Sequence, residues 1–329
     1  MIMVAAVTVR QDGFAEMAYV GEKPWHGLGQ ELAAGADIET WKKAAGMDWR
    51  IQRSVVRYAT ARDADMGLME MPEQHVLFRS DNKAPLSIVS PKYKVVQPGE
   101  VLEFFRDLTD ANGYTLNTAG TLFDGRLFWA LASIGEEAVV VGEDKIGGYL
   151  LLSSSCDGTL PTTARFTTIR VVCNNTLGMA LRGAAKREVT VRHTSRFDAE
   201  SVKQELGLAR DHFGEFLKAA RKLAQVRVPV ERAEQFVGEL LVDSRTVLGD
   251  DVRKSKQFQK IMALFKGQAI GVEQHDTTGN AWALVNSVTE FVDHHARAKT
   301  DSHRLANAWF GRGDDLKTAA LERALALAA

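Results

Sequence analysis

Few side chains in this sequence are spaced for catalysis. Cys156 and Cys173 are its two cysteines, too few for a disulfide framework or a four-cysteine zinc site. A metal here would need partners such as His193 or Asp157, and no recognised ligand spacing joins them. Both cysteines read more simply as small buried hydrophobes. The pair His294-His295 stands beside Asp293, with His303 beyond it. Adjacent helical positions point about 100° apart, so this pair does not converge on one ion. Glu290, one turn before His294, still completes no ligand set. Gly267, Gly271 and Gly279 are too scattered for a phosphate loop. G-x-S-x-G, H-E-x-x-H and a nucleotide-binding lysine motif are all missing from the sequence. The expectation is a non-enzymatic protein without cofactor or metal.

Charge offers a different chemistry. Between Leu160 and Arg196 stand seven basic residues, Arg165, Arg170, Arg182, Lys186, Arg187, Arg192 and Arg196, opposed only by Glu188. From Pro98 to Asp144 the balance inverts, with nine acidic residues against Arg106 and Arg126. The formal net charge is −1, so any electrostatic binding has to come from such a local patch. Tyr149, Phe166 and Phe197 lie close in sequence. Cationic grooves with aromatic platforms hold single-stranded nucleic acid without reading its sequence. The competing reading is an ordinary solvated face, or an interface that sets basic against acidic patches. In the run Arg165-Phe166-Thr167-Thr168-Ile169-Arg170, a straight strand sends positions 165 and 170 to opposite faces; only a bulge would align them.

The elements that must position these residues are legible in outline. A chain of 329 residues buries a sizeable core, as one large domain or two ordinary ones. Two cysteines suit a reducing cytoplasm, the N-terminus is a poor signal peptide, and no apolar run is long enough for a membrane span. The first twenty or so residues read as a loosely held arm. The loop Lys23-Pro24-Trp25-His26-Gly27-Leu28-Gly29 places a Trp-His pair among turn formers, as a docked plug or a ligand contact. Ile38–Ala45 reads as a helix capped by Asp37, Asp48–Tyr58 as a strand, and Asp63–Pro72 as a methionine-rich connection. His75–Arg79 pairs with Pro85–Val89 across a turn, and Pro98 opens a helix to about Asp110.

Asp124-Gly125 and Asp157-Gly158 mark hairpins. The first joins Tyr114–Leu122 to Leu127–Ser133, and the second joins Tyr149–Ser155 to Thr162–Cys173. Asn174 and Asn175 suit the cap of a further helix through Leu177 and Leu181. Beyond Arg196 the pattern is helical: Asp198–Val226, Val230–Leu241, Lys256–Phe265, Trp282–Ala298 and Leu316–Ala329. The fold class is α+β. It has a central antiparallel β-sheet with a packed helix in residues 1–197, followed by an all-helical region in residues 198–329.

Three motifs together resemble one family. They are Val20-Gly21-Glu22-Lys23-Pro24-Trp25-His26-Gly27-Leu28-Gly29, then Thr168-Ile169-Arg170-Val171-Val172-Cys173-Asn174-Asn175-Thr176-Leu177, and the segment from Gly279 to His294 followed by Ala308-Trp309-Phe310-Gly311. The sequence resembles the phage/plasmid-like protein family built on a domain of unknown function. It departs from that pattern at Cys156-Asp157-Gly158, where His is expected before Asp-Gly. The resemblance implies a cytoplasmic role in mobile-DNA biology. A more distant likeness is to phage single-strand annealing recombinases, which set a helix behind a curved antiparallel sheet. That likeness implies single-stranded DNA as partner and a homo-oligomer, with Lys92, Lys94, Arg165, Arg170, Arg182, Lys186 and Arg187 on phosphates. Tyr149 or Phe166 would stack on bases. The alternative is a protein–protein module acting on a host or element protein, with the Trp25 loop and Trp309-Phe310 as exposed anchors.

Overall fold

The computed structural model describes residues 7–10, 12–21, 28–60, 67–111, 113–170, 175–178, 188–206, 212–244, 252–270 and 278–328. Along the chain, β1 (Met17–Tyr19) and β2 (Gln30–Glu31) run parallel to each other. Helix α1 (Ile38–Ala44) follows, and the Asp37 carboxylate accepts from the Thr40 N–H at 2.7 Å, as its cap position requires. Next, β3 (Ile51–Ala59), β4 (Leu68–Arg79) and β5 (Pro85–Val89) form a separate three-stranded antiparallel sheet. Short helices α2 (Pro98–Glu103) and α3 (Arg106–Ala111) come after it. The meander β6 (Thr115–Leu122), β7 (Leu127–Val141), β8 (Asp144–Ser155) and β9 (Thr162–Arg170) is antiparallel throughout. Both β10 (Asn175–Gly178) and β11 (Glu188–Val191) pair with β9. The rest is helical: α4 (Ala199–Leu206), α5 (His212–Gln225), α6 (Val230–Asp243), α7 (Lys256–Ala263), α8 (Ala281–Glu290), α9 (Asp301–Phe310) and α10 (Arg312–Leu327). Among the described residues no helix is long and apolar enough to cross a membrane.

The α+β expectation holds, with a larger sheet than the hairpin signals indicate. The main sheet has eight strands in the order β10-β9-β8-β7-β6-β1-β2, with β11 beside β10 on the outer edge of β9. Four local readings are corrected. The supposed arm supplies β1, which pairs with β6 from Met17↔Gly120 to Tyr19↔Thr118 and is buried along its length. The supposed helix after Asn175 is instead β10, in register Asn175↔Arg170 through Gly178↔Thr167. An outer strand carries a row of N–H and C=O groups that need partners, and at β9 that demand overrides the capping preference of asparagine. Residues 68–72 of the supposed methionine-rich connection belong to β4, with a bulge where Val55↔His75 gives way to Val56↔Met71. The helix expected from Pro98 to Asp110 divides at Phe104-Phe105, two buried rings in edge contact at 5.2 Å.

The first six residues of β7, Leu127–Ala132, and nearly all of β8 are buried without alternation. That pattern means both faces are covered. One face, with Phe128, Ala130, Leu150, Leu152, Ala164 and Phe166, shares its core with residues of α2, α4, α5 and α8. The other, with Trp129, Leu131 and Leu151, is covered by Leu305, Trp309 and Phe310 of α9. Trp282 of α8 is fully buried and donates its indole N–H to Asp144 at the start of β8, at 2.8 Å. The helices after Ala199 therefore belong to the same apolar core as the sheet.

A buried ion cluster joins the two sheets. Arg79 and Glu16 have side chains 2% and 0% exposed and meet at 2.6 Å. Arg79 also binds Asp81 at 2.8 Å, and its guanidinium lies 4.1 Å from the Trp49 ring. Glu16 further accepts from Thr121 Oγ1 at 2.6 Å and from Arg10 at 2.7 Å. Two glycines make room: a Cβ at Gly46 would stand 2.5 Å from Glu16, and one at Gly125 would stand 2.5 Å from Trp49. Burial opposes the charge on Arg79, and hydrogen bonds to Asp81 and Glu16 outweigh it, so its pKa rises. Removing one partner strands the other charge in the interior, which costs about 3–5 kcal/mol. Arg79→Met is expected to lower unfolding free energy in urea by that amount. The double variant Glu16→Met/Arg79→Met is expected to lose less than the single one.

Candidate nucleic-acid interface

Two loops come together at one end of the three-stranded sheet. The first, Ser90–Val96, leaves β5; the second, Arg192–Phe197, leaves β11. The Lys94 N–H donates to the His193 carbonyl at 2.6 Å, and His193 Nδ1 lies 3.2 Å from the Lys94 carbonyl. The Tyr93 and His193 rings stack at 4.6 Å with an 18° tilt. Tyr93 donates its hydroxyl to the Ser155 carbonyl at 3.1 Å, and His193 Nε2 is 2.9 Å from the Leu160 carbonyl. Both loops are thereby pinned to the end of β8 and the turn before β9. Burial pushes the Tyr93 phenol pKa up, which keeps it a neutral donor.

This frame leaves its charges outward. Lys92, Lys94, Arg192 and Arg196 are exposed, and none forms an ion pair among the described residues. Arg53 of β3 adds a fifth cation, with its guanidinium on the Pro91 and Tyr93 carbonyls at 3.5 and 2.7 Å. The carboxylate nearest in sequence, Asp198, accepts from the N–H groups of Glu200 and Ser201 on one of its oxygens. Such a surface can meet a phosphate backbone: the charges are exposed, and the loops that carry them are pinned through the stacked Tyr93–His193 pair.

Among the described residues singled out from sequence, Lys92 and Lys94 stand on this surface. Arg165 is held inside the protein, where its guanidinium binds Asp314 and the Trp309 carbonyl. It braces β9 against the start of α10 and has no charge to spare for phosphate. Phe166 lies in the core against His212, 4.8 Å between ring centroids, so neither face is open to a base. Tyr149 is half-buried on the sheet face that α9 covers, and burial raises its pKa. The ladder from Ile146↔Arg170 to Ser153↔Thr163 has no bulge, so positions 165 and 170 fall on opposite faces. Arg182, Lys186, Arg187, Cys173 and the Trp25-His26 pair lie outside the described residues.

Trp309 packs edge-on against the buried Trp129 at 6.3 Å, so it is a sheet contact and not an exposed anchor. Near the histidine pair, Asp293 is tied to the buried Lys317 at 2.8 Å, and His295 faces Glu290 at 3.4 Å. Sequence reasoning counted Arg192 and Arg196 in the basic run without assigning them to the site. Arg53 gave no signal, because its place follows from the fold of another sheet.

The chain belongs to the DUF932 family. The model of this domain of unknown function matches residues 85–309, about two thirds of the sequence. The DUF932 segment runs from β5 to α9 and contains both cationic loops; Arg53 and most of the three-stranded sheet precede it. Comparison with curated proteins and with solved structures gives no match.

Cys156, at the departure from the family pattern, is buried against the Gly125 and Arg126 carbonyls. Burial, with Asp157 adding to it, pushes its thiol up to about 12. The thiolate is the reactive form, so at pH 8 Cys156 is expected to resist a thiol reagent in the native protein. It should react at the ordinary rate of a free cysteine in denaturant, as mass spectrometry of the Cys156 peptide would show.

Proposed function

We propose that this protein is a non-enzymatic single-stranded DNA-binding protein of a phage or plasmid, and that it holds phosphates on the surface formed by Lys92, Lys94, Arg192 and Arg196. The observation that carries this reading is the meeting of two loops that present four exposed cations around the Tyr93–His193 stack, none of them in an ion pair among the described residues. Binding of this kind needs no cofactor. A strand gripped by its phosphates keeps most base edges free to pair, which is the requirement for annealing. The surface keeps Lys92 and Lys94 from the residues expected on phosphates and adds Arg192 and Arg196.

Each phosphate neutralised releases counterions, so affinity falls with salt by a log–log slope of about 0.7 per contact for single strands. With oligo-dT, charge removal at Lys92, Lys94, Arg192 and Arg196 together is expected to flatten that slope by roughly 3. Arg165→Gln is expected to leave the slope unchanged and to lower thermal stability. A wild-type signal indifferent to salt, or no binding at all, would sink the reading.

One observation favours a second reading, self-association. The β3–β4 ribbon extends past β5, and the register sets Val56 opposite Met71 and Tyr58 opposite Met69 on one face. Val76 and Ile88 continue that face inward. It is apolar and open: Tyr58 is 51% exposed, Met69 53% and Ile88 62%. The Arg57–Glu70 pair, at 2.7 Å, lies on the opposite face. A two-stranded ribbon is marginal in water by itself, and an exposed apolar patch marks a contact surface. A neutral face of this kind can meet its own copy without like-charge repulsion. Light scattering across a concentration series is expected to show an oligomer that Tyr58→Lys/Met69→Lys converts to monomer. A wild-type protein that stays monomeric at high concentration rejects this second reading.

A further inference from the structure

A cavity of about 420 Å³ opens beside the cationic loops, between the β6–β7 turn, the β8–β9 turn and α9. Its walls are Phe123, Leu127, Leu160, Ala306 and Phe310, with His303 across from Phe123. Asp157, Thr159 and Asn307 add a carboxylate, a hydroxyl and an amide, and the exposed Arg126 stands at the rim. The size falls within the range of small-ligand pockets, and so does the mixture of apolar wall and few polar groups.

We propose that this cavity seats one nucleobase of the bound strand. The inference rests on the phosphate-binding reading above and adds to it a specific place for a base. Three observations converge. First, one residue links the cavity to the second cationic loop. Leu160 lines the cavity, while the Leu160 carbonyl faces His193 Nε2 of the second loop at 2.9 Å.

Second, the walls are planar and aromatic. The Phe123 and His303 rings meet edge-on at 5.2 Å, and Phe310 shares the same wall. Bases stack on such rings whatever their identity. Phe123 has a φ of +54°, a conformation that a bulky side chain rarely adopts. Backbone strain of this sort is concentrated at functional positions.

Third, the polar groups fit a base edge. Asp157 Oδ1 is held by the Thr159 N–H at 3.0 Å and by its hydroxyl, which leaves the second carboxylate oxygen as an acceptor. Every base offers at least one N–H donor on its pairing edge, so the pocket accepts a base without choosing among them. Arg126, whose Nε donates to the Phe123 carbonyl at 3.0 Å, is placed for the phosphate that enters with it.

The test compares oligo-dT with an abasic oligonucleotide of the same length and charge. The wild-type protein is expected to bind oligo-dT about tenfold more tightly or better. Phe310→Ala and, as a surface variant that spares the core, His303→Ala are each expected to bring oligo-dT down toward the abasic value with an unchanged salt slope. Photocrosslinking to an oligonucleotide carrying 5-iodouracil should label peptides holding Phe123, His303 or Phe310. Equal affinity for the two oligonucleotides, or crosslinks confined to other peptides, overturns the base pocket and leaves the phosphate surface standing. Failure of the protein to bind either oligonucleotide overturns both.

Discussion

The ion pair between Glu16 and Arg79 is the constraint on which the two sheets depend. The carboxylate comes from the segment that continues into β1, and the guanidinium from the end of β4, a separation of 63 residues along the chain. Neither charge is tolerable in the interior without the other. The N-terminal segment is thus fixed to the edge of β6, and the three-stranded sheet is fixed to the main one. Trp49, stacked on the guanidinium, and the tight turns at Gly46 and Gly125 fill the same small volume. Cys156 lies near it, which accounts for its burial more simply than reactivity does.

The second organising fact is that β8 and the first half of β7 are covered on both faces. A strand such as β9, basic and aromatic in sequence, reads as a binding platform only if one side is open. Here α5 and α8 lie toward one side and α9 toward the other, so Phe166 becomes core and Arg165 becomes a brace. The exposed cations stand instead at the rim, where the loops after β5 and β11 meet. This agrees with the general tendency of connecting segments to carry function on a rigid scaffold.

What sequence disclosed was whatever a short window contains. Asp124-Gly125 and Asp157-Gly158 turn as their types require, Asp37 caps its helix, and the Pro91 loop puts Lys92 and Lys94 in solvent. What it hid depended on distant partners. Three residues of β1 are too few to show a period, and only β6 makes them a strand. Asn175 has the chemistry of a cap, yet the open edge of β9 recruits it. Arg165 looks like a free charge until Asp314 is placed beside it. Arg53 reaches the candidate site from a strand of another sheet, through carbonyl groups that no side-chain pattern reveals.

The brace between Arg165 and Asp314 also bears on how the protein comes to exist. Its two ends are 149 residues apart in sequence, and the side of the sheet it closes waits for α9 and α10 to arrive. On a ribosome the meander is complete while Trp129, Leu131 and Leu151 still face water. Contacts of such long range are slow to form, and unfinished sheets with exposed apolar surface are prone to aggregate. The nascent chain passes through a stage in which its most hydrophobic strands are bare on one side, a stage that a chaperone is suited to cover.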